Sequence, residues 1–279
     1  MKRDPSKSEL SKSCCIHLGS VVKDLKDLRG STPEPARPLP LVELFVEEVK
    51  FLRYGGVRPS SVVPLMMDKL GIPREGPLGK AGLLISLKAE EATNEPDYHN
   101  QHHTVEVVVA AYILGQREKL PIYRTAELVI AAAAHDLGHT GRMNQFDYER
   151  EARSFQIAQP LLEQAGMLPA SIQRIEQMIL ATDFRVGVPP TRQAYWDTRS
   201  LPPLDDQRLL ATQCQLLTEA DVLFSCFDLD SNEFLSRLLA AEWKRTEENL
   251  SMVERMKFLS LAKFISSAAT ELGLETRRQ

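Results

Sequence analysis

Five of the six histidines in this sequence lie between His99 and His139: His99, His102, His103, His135 and His139. The sixth, His17, stands apart near the start. His135 is followed directly by Asp136, in the run AAAAHDLGHTG. An apolar helix that delivers an imidazole and a carboxylate together has to compensate the charge it buries, because an unpaired one costs several kcal/mol. A divalent cation supplies that compensation. A His-Asp pair alone is more often structural, but this one has company. His103 adds an imidazole at the start of the preceding apolar run. His139 follows His135 by four residues, one helical turn on, so it can face the same point. Gly138 and Gly141 relax the backbone there and let a ligand approach.

The elements that must position these residues read as helices throughout. Leu41 to Phe51 has helical apolar spacing. Ser60 or Ser61 is expected to cap a helix through Leu70, stopped by Gly71 and Pro73. A short helix is expected over Leu83–Thr93, with Pro96 breaking the chain before the histidines. His103–Gln116 is apolar nearly all round and reads as buried. Thr125 is expected to cap a helix covering Ala126–His135, whose alanines would let neighbours come close. Further helices are expected over Asp147–Gln164, Ser171–Thr182, Asp206–Phe227, Asn232–Leu250 and Met252–Leu272. No run alternates as a strand would. The expected fold is all-α: one compact multi-helix domain over residues 40–279. Residues 1–39, rich in Lys, Ser and Pro, are expected to form a flexible N-terminal arm, ending in a linker with Pro33, Pro35, Pro38 and Pro40.

Composition narrows the function classes. The net charge is −4, with 38 acidic against 34 basic residues and no basic stripe, which disfavours a nucleic-acid partner. The longest apolar stretch, near Leu128–Ala134, is too short to span a bilayer, and the first residues carry no apolar signal segment. The four cysteines, Cys14, Cys15, Cys214 and Cys226, form neither a CxxC pair nor a disulfide ladder. Reduced thiols in a cytoplasmic protein are the plain expectation.

The order His, His-Asp, Asp resembles the HD superfamily of metal-dependent phosphohydrolases. The local match is closer to the catalytic domain of class I cyclic nucleotide phosphodiesterases. Tyr98–Val107 reads YHNQHHTVEV and is similar to that family's first motif, and His135–Phe146 reads HDLGHTGRMNQF and is similar to its second. Ile179–Asp183 reads ILATD, and Ala220-Asp221-Val222 resembles a late Ala-Asp-Ile pair. The resemblance implies hydrolysis of 3′,5′-cyclic nucleotides, cAMP or cGMP, to 5′-monophosphates. It implies two divalent metals: Zn²⁺ (or Fe/Mn) held by His103, His135, Asp136 and Asp221, and Mg²⁺ or Mn²⁺ at a second site that Asp136 bridges. It casts His99 as the acid that protonates the leaving 3′ oxygen and His139 as a partner of water on the second metal. It places Tyr98, Asn144 and Phe264 on the substrate side, and Glu151 and Asp183 in support.

The sequence departs from the family pattern in three places. Leu261 occupies the position of the glutamine that holds the purine, three residues before Phe264. Phe184-Arg185-Val186-Gly187 replaces the histidine expected after ILATD. Leu223-Phe224 replaces the asparagine expected near Asp221. All three bear on substrate recognition and support, and none removes an implied metal ligand. Two other readings stay open: a different HD-type nucleotide phosphohydrolase or nucleotidase, and a non-catalytic nucleotide-binding or scaffold module. The apolar faces of the last helices leave room for a homodimer.

Overall fold

The computed structural model describes residues 56–91, 97–226, 229–244 and 250–274. All regular structure among them is helical. The expected arm over residues 1–39 and the expected helix over Leu41–Phe51 lie outside the described residues.

Helix α1 (Pro59–Leu70) opens on a proline, whose fixed φ suits a first turn, so neither Ser60 nor Ser61 is its cap. It ends as expected at Gly71, which sits in the left-handed region. Helix α2 (Pro77–Glu90) also opens on proline and starts six residues before the expected Leu83. Helix α3 (Gln101–Arg117) is capped by Asn100, whose side chain accepts from the N–H groups of His102 and His103. Helix α4 (Ile122–Ala134) is buried from Arg124 onward. Thr125 is not its cap: it lies inside, and its N–H and hydroxyl both donate to the Pro121 carbonyl.

Helices α3 and α4 approach closely because Gly115 faces Thr125. A Cβ on Gly115 would stand 2.9 Å from Thr125 Cγ2. The third central helix, α8 (Asp206–Leu223), packs on both and is capped by Asp205. Helices α5 (Glu149–Gln164) and α6 (Pro169–Leu180) pack together, and α6 lies along α4. Helix α7 (Val188–Asp197) is not among the helices expected from the sequence, and it carries Pro189 and Pro190. They fall in its first turn, where no intrahelical N–H is needed.

Two late helices differ from the sequence reading. Helix α9 runs from Leu229 to Glu242, shorter than Asn232–Leu250, and Lys244 adopts a positive φ just past its end. The single helix expected over Met252–Leu272 is divided into α10 (Met252–Leu261) and α11 (Ser267–Glu271). The cause is Glu219 on α8. Its carboxylate accepts from the N–H groups of Ile265 and Ser266 at 2.7 and 2.9 Å and from the Ser266 hydroxyl at 2.5 Å. A buried carboxylate takes the donors that a continuous helix would use internally. Ser266 then caps α11, and Phe264 turns into the core at 4% exposure.

A second buried polar group ties the start of α4 to α6 and α8. Arg124, 1% exposed, pairs with Glu127 and Asp206 and reaches Gln213. Glu127 also receives two hydrogen bonds from Arg174, at 2.5 and 3.0 Å. Removing one member strands buried charge, which is far costlier than losing a surface pair. Glu127→Ala is therefore expected to lower unfolding stability by about 3 kcal/mol, read by urea denaturation. A loss below roughly 1 kcal/mol, the range of a surface pair, would mean that the network contributes little.

Candidate metal and catalytic centre

Three central helices bring four metal-capable side chains together. His103 stands in the first turn of α3, His135 ends α4, Asp136 follows it, and Asp221 lies in the last turn of α8. His135 Nδ1 donates to the Ala132 carbonyl at 2.8 Å. A carbonyl only accepts, so Nδ1 carries a proton and Nε2 is the nitrogen that faces the cluster.

Distances within the cluster have the dimensions of a coordination shell. His103 Nε2 lies 3.0 Å from Asp221 Oδ1 and 3.5 Å from Asp136 Oδ2. His135 Nε2 lies 3.2 Å from Asp136 Oδ2 and 3.4 Å from Asp221 Oδ1. Ligand atoms about 2.0–2.1 Å from a tetrahedral metal stand roughly 3.3 Å apart. His135 Nε2 and Asp136 Oδ2 are buried, yet neither is aligned for a hydrogen bond. Buried polar atoms without such partners ordinarily carry a cost, and a cation at the centre removes it. The donor set therefore fits a divalent metal.

Beside this cluster stands a second group: His99, His139 and Glu242. Glu242 ends α9, and its side chain is 1% exposed. One of its oxygens accepts the N–H groups of Tyr98 and His99, both at 2.9 Å. The other lies 2.6 Å from His99 Nδ1. The His139 ring packs on His99 with centroids 3.8 Å apart, and its Nδ1 accepts the Gly141 N–H at 3.1 Å. Both Glu242 oxygens and His139 Nδ1 are engaged in hydrogen bonds within this group. The turn that carries His139 requires Gly138 at φ 73, where a Cβ would meet Ile157 Cδ1 at 2.6 Å.

Asn144 joins the supporting residues. Its amide donates to Glu151 at 2.9 Å and to Asp183 at 3.0 Å, and its carbonyl accepts the Arg150 N–H. Asp183 also accepts the N–H groups of Tyr148, Arg185 and Val186, which makes it a cap for the turn after ILATD. The Tyr98 hydroxyl meets Ser225 at 2.8 Å, and its ring packs against His99 and His103. The structure therefore brings together His99, His103, His135, Asp136, His139 and Asp221, with Tyr98 against two of them. It joins Asn144, Glu151 and Asp183 in a neighbouring network. Phe264 is a buried core residue, held by the Glu219 clasp. Leu261 is 45% exposed, and its carbonyl accepts from Arg192.

Glu242 escaped the sequence reading. A signal was present: the run LLAAEW sets one carboxylate in an apolar stretch, which invites the question already asked of His135-Asp136.

Titration follows the geometry. Burial works against a charged His135, but Asp136 and Asp221 outweigh it and hold its pKa well above the ordinary value. Burial likewise opposes ionised Asp136 and Asp221, and the neighbouring histidines keep both below the usual carboxylate range. His99 is raised, because Asp136 and the Glu242 hydrogen bond overcome its burial. His139 is pushed down to about 3 by burial and by the His99 charge beside it. Burial raises Glu151.

With this geometry in view, the comparisons with known proteins can be placed. Residues 98–163 match the family model described as 3′5′-cyclic nucleotide phosphodiesterase. That span holds His99, His103, His135, Asp136 and His139, whereas Asp221 and Glu242 are supplied by the fold. The Leishmania protein LmjPDEB1, solved in complex with IBMX, superposes with a TM-score of 0.52 at 17% identity, covering 78% of this chain and 69% of that one. At that identity the likeness is one of fold. No curated protein matches the sequence. The fold is thus all-helical and similar to that of the Leishmania structure. The resemblance to class I cyclic nucleotide phosphodiesterase catalytic domains holds in both local sequence and fold. Among the described residues, no helix is long and apolar enough to cross a membrane.

A raised histidine pKa has a definite sign. Without metal, the His135 proton contributes stability that is fully present below the unfolded pKa near 6.5 and is lost as pH rises through the higher folded value. A metal needs the neutral ring and must displace that proton. Zn²⁺ or Mn²⁺ titrated into the chelator-treated protein at pH 7 is expected to release protons, and its apparent affinity should rise with pH. Calorimetry in buffers of different ionisation enthalpy reads this directly. Heats independent of buffer would mean that His135 is already neutral without metal.

Proposed function

We propose that this chain hydrolyses 3′,5′-cyclic nucleotides to 5′-monophosphates. One observation carries the reading: His103, His135 and Asp136 converge as metal-capable donors, with Asp221 against both imidazoles, beside a histidine whose second nitrogen is fixed by a buried glutamate. A divalent pair at Asp136 would supply Lewis acidity and an activated water at neutral pH.

The chain's own residues do the rest. Glu242 accepts from His99 Nδ1, which leaves Nε2 to carry the mobile proton. The same carboxylate favours the charged ring, so His99 arrives at the reaction protonated. That proton goes to the departing 3′ oxygen. Tyr98 packs against the His99 ring and orients it. Asn144 positions Glu151, on the side of the site from which water would be supported. The exposed residues around Leu261 are assigned to the base end, whereas Phe264 is withdrawn into the core. A cytoplasmic setting suits Cys214 and Cys226, which are buried free thiols.

A second reading, hydrolysis of another nucleotide phosphoester, is favoured by one observation. Leu261 offers no amide to a purine, so base recognition differs from the pattern the resemblance implies.

Product chromatography decides between them. The protein, loaded with Mg²⁺ or Mn²⁺, is given cAMP, cGMP, nucleoside monophosphates and triphosphates, beside Asp136→Ala. Conversion of a cyclic nucleotide to its 5′-monophosphate by the native chain alone is the expected result. Cleavage of other phosphoesters only would favour the second reading, and no turnover of any substrate would leave a binding module.

His99→Asn is expected to keep its metal content and lose at least about 100-fold in kcat. Glu242→Gln is expected to move the alkaline limb of the pH–rate profile to lower pH. The acid must be protonated to work, and without the Glu242 charge it loses its proton sooner. An unmoved limb would detach Glu242 from the acid.

A further inference from the structure

No sequence motif singles out Arg150, yet it borders the centre just described. It sits in the first turn of α5 and is anchored on the loop between Gly138 and Phe146. Its Nη2 donates to the Met143 carbonyl at 3.1 Å and its Nη1 to the Thr140 hydroxyl at 3.3 Å. Its backbone N–H donates to Asn144 Oδ1 at 3.2 Å. Asp136, Glu149, Glu151 and Glu242 act on its charge from a distance, and no carboxylate among the described residues forms an ion pair with it. Its Nε is buried without a hydrogen-bond partner.

The remaining contact is unusual. Arg150 Nη1 lies 3.4 Å from His139 Nε2. His139 Nδ1 already accepts from the Gly141 N–H, so that nitrogen holds the lone pair. An imidazole ring has at most one unprotonated nitrogen, which places a proton on Nε2. A guanidinium has only donors. Two donors therefore face each other and cannot satisfy one another. What satisfies both is an acceptor placed against the pair, and an anion does so best, because one of the two donors carries a full charge.

We propose that Arg150 and the His139 Nε2–H together form a two-pronged donor for a phosphoryl oxygen of the substrate and of the 5′-monophosphate product. The inference rests on the phosphodiesterase reading and adds the group that holds the phosphate. Guanidinium suits this task, since its planar donors match phosphate oxygens and its charge persists at every working pH. The packing of His139 on His99 sets this donor pair beside the acid, so an oxyanion held there lies at the reacting end of the nucleotide. Arg150 would thus make the site select for the phosphate, while the base end, with Leu261 in place of an amide, contributes less discrimination.

The test is calorimetric and needs no turnover. Inorganic phosphate and 5′-AMP are titrated into the metal-loaded native protein, Arg150→Lys and Arg150→Met, with metal content and melting temperature measured on each. Loss of a charge-assisted hydrogen bond should weaken both ligands about tenfold in Arg150→Met. Arg150→Lys should recover most of that affinity, since it restores the charge. Metal content should be equal in all three. Unchanged affinity in Arg150→Met would overturn the proposal. So would equal weakening in both variants accompanied by a lower melting temperature, which would mean that Arg150 only props the loop. Absence of phosphate and 5′-AMP binding in the native protein would overturn it as well. A native protein that binds 5′-AMP through Arg150 but leaves cyclic nucleotides intact would sink the phosphodiesterase reading alone.

Discussion

Asp136 and Asp221 hold two negative charges at the meeting point of α3, α4 and α8, and the rest of the molecule is arranged around making that tolerable. Carboxylates in such a setting lose hydration. His103 and His135 stand between them at 3.0–3.5 Å, near enough to share the charge but with two buried atoms left unaligned for hydrogen bonds. The helices must therefore be rigid and close. Alanines on α4 and Gly115 on α3 provide the closeness. The Arg124–Glu127–Arg174 network at the far end of α4 fixes its position against α6 and α8. A shift of α4 along its axis would break that network and the ligand cluster together, so stability and site geometry are coupled through one helix.

The central part of this arrangement was legible in the sequence because it is local. His135-Asp136, Gly138, His139 and Gly141 lie close together in the sequence, so their proximity needs no distant contact, although α4 stops at Ala134 and a turn through Gly138, not a continued helix, carries His139. α3, α4 and α8 have long apolar runs, so their existence followed from periodicity, while α4 starts four residues before the expected Ala126 and α8 ends at Leu223, short of the expected Phe227. What could not be read depends on contacts distant in sequence. Glu242 reaches His99 across 143 positions. Glu219 divides the last helix by capturing Ile265 and Ser266 from 46 and 47 positions away. Helix α7 was hidden for a different reason: paired prolines are ambiguous between a break and a first turn, and only the packing on α8 decides.

The Glu219 clasp also shows why the base end of the site resists transfer by resemblance. A helix continued through Leu272 would present Leu261 and Phe264 one turn apart, as a QxxFI motif would require. The clasp ends α10 at Leu261, exposes that side chain and turns Phe264 into the core. Burial pushes the Glu219 carboxyl up to about 6, against the pull of the Ser266 and Ile265 donors. The departure from the motif in sequence is thus matched by a departure in backbone path, while the ligand cluster a few residues away on the same helix keeps its form.

The two stacked histidines carry the remaining argument about mechanism. His99 and His139 lie 3.8 Å apart, too close for both to hold a charge. Glu242 decides between them: it is 2.6 Å from His99 Nδ1 and 4.0 Å from His139 Nδ1. The first distance is a strong charge-assisted hydrogen bond, and the second is not a hydrogen bond. The proton therefore stays on His99, and the pKa values of the two rings move in opposite directions. Paired titratable groups driven apart in this way divide acid from neutral partner. On the proposed function, the division gives proton delivery to His99 and a fixed N–H donor to His139, and the donor's tautomer is set by one backbone N–H in the Gly141 turn.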